Sequence, residues 1–127
     1  MPFLAQIHDI KAAIRFLRAE TRTYGYDAER IAISGGSSGG HLAAFVGVTN
    51  GHAVLEGEVG AHLDQSSSVQ AIVDYYGSTN LASILRQSKP HGLSVRQPAL
   101  DLLLGGQPEA VPKLPSVGTH VDATDPC

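Results

Sequence analysis

Residues 31–43 read Ile31-Ala32-Ile33-Ser34-Gly35-Gly36-Ser37-Ser38-Gly39-Gly40-His41-Leu42-Ala43, and this stretch decides the fold. Ile31 to Ile33 is a short apolar run rich in β-branched residues, the composition of a buried parallel strand. From Ser38 to Thr49 small and apolar residues follow closely enough to form a buried helix. Between strand and helix, Gly-x-Ser-x-Gly occurs in two overlapping frames, Gly35-x-Ser37-x-Gly39 and Gly36-x-Ser38-x-Gly40. Bracketed in this way, the pattern marks a nucleophile elbow. A serine in so tight a turn holds a strained backbone, and glycines two residues away keep Cβ atoms out of the neighbouring strand and helix. The helix N-terminus behind it favours developing negative charge. The first frame puts the serine nearer the strand end. Ser37 is therefore the expected nucleophile, Gly35 and Gly39 the elbow glycines, and the Ser38 N–H a contributor to the oxyanion hole. A glycine-rich turn or a phosphate-holding loop remains the bland alternative. A Walker loop is excluded because no Gly-Lys-Ser/Thr ends the run, and Gly36-x-x-Gly39 lacks dinucleotide spacing.

Upstream, Leu4 to Arg22 has helical periodicity, with Ile7, Ile10, Ile14 and Leu17 on one face. Lys11, Arg15 and Arg18 fall on other faces and read as an ordinary solvated surface. Tyr24-Gly25 stops the helix, and residues 26–30 form a turn. Downstream, Asn50 to Ser68 is polar and glycine-interrupted, a long loop with at most one turn of structure. Val69 to Tyr76 is a second strand, and Leu81 to Gln87 and Val95 to Leu104 are short helices separated by Lys89-Pro90-His91-Gly92. After Gly105-Gly106 the chain turns to Pro108, Pro112, Pro115 and Pro126 with little periodicity. Alternating helices and strands predict an α/β layer with a parallel sheet flanked by helices. Two strands do not finish a sheet, so residues 1–127 are expected to be one portion of a larger domain.

Composition narrows the function classes. The chain has 127 residues, is 43% hydrophobic, and has a net charge of −3, which describes a globular protein rather than a disordered one. Without a basic run it carries no nucleic-acid footprint. Its longest apolar stretch, Leu42 to Val48, is too short to cross a bilayer. No secretory pattern opens the chain; the compartment is left open, with the cytoplasm favoured. A single cysteine, Cys127, excludes an internal disulfide framework and a cysteine-based zinc site. Oligomeric state is not legible.

The stretch GGSSGGHLA (residues 35–43) resembles the GxSxGGHLA elbow of α/β-hydrolase esterases of the feruloyl and acetyl-xylan type, and of related carboxylesterases. IHDIKAAIRFLRAE (7–20), YGYDAERIAISGG (24–36), LEGEVGAHLDQSSSVQ (55–70) and VDYYGSTNL (73–81) resemble the same family in the same order. The related hormone-sensitive-lipase-like group has Asp before the serine and Asn after the glycines, where Gly36 and His41 stand here. The resemblance implies a serine carboxylic-ester hydrolase acting through an acyl-enzyme on a small-molecule ester, with no metal or organic cofactor. It also implies that an upstream His-Gly-Gly segment and a downstream acid and histidine complete the machinery outside these 127 residues.

Other polar groups have blander roles. His41, one helical turn beyond Ser37, cannot approach the hydroxyl from outside the elbow and reads as structural. Asp74 is expected to hold the loop after the second strand by hydrogen bonds. His120 and Asp122 stand in the wrong order for the family's acid and base. His52, His62 and Asp64 lack the spacing of a hydrolytic zinc site and read as a solvated loop. The competing reading is a catalytically incomplete remnant that keeps the elbow as a folding element and binds a partner through its sheet edge.

Overall fold

The computed structural model describes residues 2–105 and 116–126, the side chain of Pro2 excepted. The proline-rich change of composition at Pro108, Pro112 and Pro115, and Cys127, lie outside the described residues. Helix α1 spans Pro2–Ala19 and is followed by a single helical turn, α2, at Thr21–Tyr24. Strand β1 (Ala32–Gly36) leads into helix α3 (Ser38–Gly47), and a short α4 (Ala53–Glu56) interrupts the polar segment. Strand β2 (Ala71–Tyr75), helices α5 (Leu81–Gln87) and α6 (Pro90–Leu104), and a 3₁₀ turn at Val117–Thr119 complete the order. β1 and β2 pair in parallel, Ala32 with Ala71 through Gly36 with Tyr75. The α/β layer expected from the alternation is present, with α3 packed on both strands and α1 packed on α3.

The core lies where α1 meets α3. Phe3, Ile7 and Ile14 from α1 meet Ala44, Phe45 and Val46 from α3, with Leu55 and Val69 closing the cluster. Phe3 and Phe45 meet edge to face, ring centroids 4.9 Å apart. α3 is small and apolar because it is buried on nearly all sides. At Gly47 a Cβ would collide with the Ile72 side chain, so glycine there lets the helix sit close on β2.

Three expectations need correction. β1 extends through Gly35 and Gly36, beyond the three residues whose composition marks a strand, because β2 offers those glycines pairing partners in Asp74 and Tyr75. α6 begins at Pro90 rather than Val95. Proline at the first helical position needs no N–H partner and already has helical φ, so a residue read as a break is the start. The largest departure is in α1. Lys11 and Arg15 are 0% and 2% exposed, whereas Leu17, assigned to the buried face, is 41% exposed. The inward face runs through Phe3, Ile7, Lys11, Ile14 and Arg15, and its cations are part of the interior.

Those cations fasten the polar segment between the strands. Lys11 Nζ donates to Glu56 Oε1 at 2.7 Å, to the Thr49 carbonyl at 2.7 Å and to Ser67 Oγ at 3.5 Å. Arg15 donates to the carbonyls of Glu56 and Val59 at 3.0 and 3.1 Å and reaches the Glu56 carboxylate at 3.4 Å. Arg18 donates to the carbonyls of Ser66, Ala28 and Ser68. Glu56 also accepts from Ser67 Oγ at 2.6 Å and from the Gly51 N–H at 3.1 Å. Burial pushes the Glu56 carboxyl up, but hydrogen bonds from Lys11 and Ser67, the Lys11 charge and the Gly51 N–H outweigh it and hold the group below its ordinary range.

Candidate active site

The elbow forms between the last residue of β1 and the first of α3. Ser37 has φ 56 and ψ −119, a positive φ whose ψ lies far from the αL value, a combination that L-residues rarely adopt. The strain is held from both sides. The Ser37 N–H donates to the Tyr75 carbonyl at the end of β2 at 2.9 Å, and the Ser37 carbonyl accepts from the His41 N–H at 3.0 Å. The side chain is exposed, and Ser38 opens α3 with its N–H in the helix's first turn, where no intrahelical acceptor exists.

The glycines divide unequally. A Cβ at Gly35 would lie under 3.0 Å from the Gly39 carbonyl and the Gly40 nitrogen, so bare backbone is required there. A Cβ at Gly39 meets nothing within 4 Å, which corrects the expectation that Gly39 is sterically demanded. The demand falls instead on Gly40, whose Cβ would strike Asp74 Oδ1. The pattern Gly-x-Ser-x-Gly points to Gly39 by spacing, but α3 turns that residue outward and presses the next one against β2.

Asp74 does hold the loop that follows β2, accepting from the Gly77 N–H at 2.7 Å. A Cβ at Gly77 would strike the His41 nitrogen and Asp74 Oδ1, so Gly40, Gly77 and Asp74 form one close-fitted joint. His41 completes it. Its Nδ1 lies 2.7 Å from the Ser78 carbonyl, which can only accept, so Nδ1 carries the proton. Nε2 is buried without a hydrogen-bond partner among the described residues. Burial, only partly offset by the Ser78 bond and the Asp74 charge, pushes the imidazole below its ordinary range and keeps it neutral. One contributor had no sequence signal. Tyr76, 84% exposed and with φ 49, brings its hydroxyl to 3.2 Å from where a Gly36 Cβ would stand.

Ser37 and Ser38 border a hollow of about 410 Å³ roofed by α5 and α6. Leu42, Leu81, Leu100 and Leu103 make its wall mostly apolar, and His41 is the one histidine that lines it. The remaining candidates are elsewhere. His120 stacks edge to face on Phe45 and lies beside His52, ring centroids 5.1 and 5.9 Å apart. His62 faces Phe16, and Asp64 accepts from Gln65. No group of three or more metal-ligating side chains is gathered among the described residues, and no helix there is long and apolar enough to cross a membrane.

Known esterases are similar to this chain in sequence and in fold. Esterase LipC and esterase LipQ of Mycobacterium tuberculosis (strain ATCC 25618 / H37Rv) are each 39% identical, over 71 and 80 residues. These stretches are 56% and 62% of this chain but only 17% and 18% of the two esterases. A solved truncated form of a carbohydrate esterase from gut microbiota superposes with a TM-score of 0.78 at 36% identity, covering 94% of this chain and 46% of that one. The chain thus spans less than half of each relative. The BD-FAE family model matches residues 1–127. With its parallel strand pair, its Gly-x-Ser-x-Gly turn and that match over its whole length, the chain belongs to the BD-FAE family, an α/β-hydrolase esterase family.

Proposed function

We propose that this chain carries the nucleophile elbow of a serine carboxylic-ester hydrolase, with Ser37 as nucleophile. The observation that supports it is the positive φ of an exposed serine at a strand-to-helix turn, at the rim of an apolar hollow. Ser37 Oγ attacks the ester carbonyl carbon and gives its proton to a general base. The carbonyl oxygen takes the electron pair and is held by the Ser38 N–H and the first turn of α3. The carbon–oxygen bond to the alcohol then breaks, and the alcohol leaves with that proton. Water adds to the acyl-enzyme, the acid departs, and Ser37 regains its hydrogen. Oxygen and nitrogen groups carry both halves, so this reading calls for no metal or organic cofactor.

The base in this reading is a histidine outside the 127 residues, partnered by an acid that is also outside, and the chain is one portion of a single α/β-hydrolase domain. His41 does not serve, since its Nδ1–H is committed to Ser78 and its Nε2 is buried. The test uses the full-length protein and a fluorophosphonate probe, with the labelled peptide read by mass spectrometry. Labelling at Ser37 that vanishes in Ser37→Ala and persists in Ser38→Ala is expected. Labelling that persists in Ser37→Ala and vanishes in Ser38→Ala moves the nucleophile to the second frame, and no labelling of either serine favours a non-catalytic remnant.

A further inference from the structure

The hollow at Ser37 adjoins a second one, of about 470 Å³, and Ser78, Ile84 and Arg96 line both. The two differ in chemistry. The first is walled largely by apolar side chains, Leu42, Leu81, Val95 and Leu103 among them, and the second by the hydroxyl and amide groups of Thr79, Asn80, Ser83, Gln87 and Ser88. Among the described residues lining either, Arg96 is the only Lys, Arg, Asp or Glu.

Arg96 is also pre-placed. Its Nη1 donates to Ser88 Oγ at 2.8 Å, across the first turn and a half of α6. A Cβ at Gly92, one turn back, would stand 3.0 Å from Nη1 and 3.7 Å from Cζ, so the guanidinium rests over a bare glycine. Arginine is otherwise a rotamer-rich side chain, and two contacts restrict it before any ligand arrives. No carboxylate among the described residues pairs with it. The bond to Ser88 uses one N–H of the guanidinium fork, leaving the others to meet a planar anion. Arg96 is exposed, so an arriving anion can reach the free N–H groups, and a carboxylate matches that fork with two parallel hydrogen bonds.

We propose that Arg96 is a specificity-determining residue that selects esters bearing a second, free carboxylate on the group that fills the hollow at Ser37. The inference rests on the reading of Ser37 as an ester-attacking serine. An apolar spacer lies along Leu42, Leu81 and Leu103, and the carboxylate lies at Arg96 where the two hollows meet.

The experiment compares p-nitrophenyl hydrogen adipate with p-nitrophenyl hexanoate, which share chain length and differ in the terminal carboxylate, on the full-length protein. The wild-type protein should prefer the adipate ester, and Arg96→Gln should lower the adipate-to-hexanoate ratio of kcat/KM about tenfold, as for loss of one charge-assisted bond. Gly92→Ala keeps the charge and the helix but displaces the guanidinium, and should lower the ratio in the same direction. A second arm needs no turnover: adipate alone is titrated while the Arg96 Nε–Hε NMR signal is followed. A shift that saturates in wild type supports the carboxylate contact; where neither ester is hydrolysed, ester selection is overturned together with the Ser37 reading, and only carboxylate binding at Arg96 survives. Hydrolysis with equal ratios in wild type and Arg96→Gln overturns the proposal while leaving Ser37 intact. An Arg96 signal unmoved by adipate, in a protein that hydrolyses neither ester, also overturns it.

Discussion

Removing the Glu56 carboxylate should be among the most damaging single changes away from the elbow. Lys11 is fully buried, and Glu56, its counter-ion at 2.7 Å, is 26% exposed. Glu56→Ala leaves Lys11 charged in the interior with only the Thr49 carbonyl and Ser67 Oγ, and it also removes the acceptor for Ser67 Oγ and the Gly51 N–H. Breaking one side of a buried pair costs about 3–5 kcal/mol. Because water reaches a quarter of the Glu56 side chain, the lower end, about 3 kcal/mol, is expected. That is a large part of the roughly 5–15 kcal/mol by which domains are stable. Urea unfolding of wild type, Glu56→Ala and the double variant Lys11→Met/Glu56→Leu provides the assay. The double variant should recover most of the loss, because apolar replacement removes the stranded charge along with its partner. The acid limb supplies a second check. Glu56 titrates lower in the folded than in the unfolded chain, so its contribution is complete above the unfolded value of 4.5 and disappears as pH falls through the folded one. The wild-type advantage over Glu56→Ala should therefore shrink in strong acid. Glu56→Ala within about 0.5 kcal/mol of wild type, the range of an ordinary surface change, would refute the reasoning, as would a double variant no more stable than the single one.

Three substitutions test the joint around Ser37. Gly35→Ala and Gly40→Ala should each cost several kcal/mol, about the scale of strained or overpacked sites, while Gly39→Ala should be tolerated, all read from unfolding midpoints. Equal losses at all three would show that α3 does not present Gly39 outward. For His41, replacement by Asn keeps an N–H near Nδ1, whereas Phe strands the Ser78 carbonyl. His41→Phe should lose about 1–3 kcal/mol relative to His41→Asn, and equal stabilities would remove the Ser78 bond from the account.

The elbow was legible because its cause is local: a β-branched run, glycines and small apolar residues fall within thirteen positions. Asp74 was legible for the same reason, since the loop it holds begins three residues later. The inward turn of Lys11, Arg15 and Arg18 was not. Most of their partners, Glu56, Ser66 and Ser68 among them, are roughly forty residues away or more, and a cation on a helix normally faces water. The one available signal was spacing, because Lys11 and Arg15 continue the four-residue steps begun by Phe3 and Ile7. Periodicity that counts only apolar residues rotates the helix toward Leu17 instead. Gly39 and Gly40 could not be separated because they are adjacent and identical, and only the packing of α3 on β2 distinguishes them.

The pairing of Ala32 with Ala71 also governs the order in which this chain can assemble. A parallel pair cannot close through a hairpin, so everything from α3 to Val69 must be gathered before the first inter-strand bond forms. Loop-closure entropy opposes that step until other contacts shorten the effective path. Helix α1 can shorten it, because Lys11 and Arg18 grip Thr49, Ser66, Ser67 and Ser68, the residues that flank the gathered segment. In this sense α1 acts as a splint that carries the second strand to the first, and the turn at Ser37, pinned by the Tyr75 carbonyl, is set only when β2 has docked.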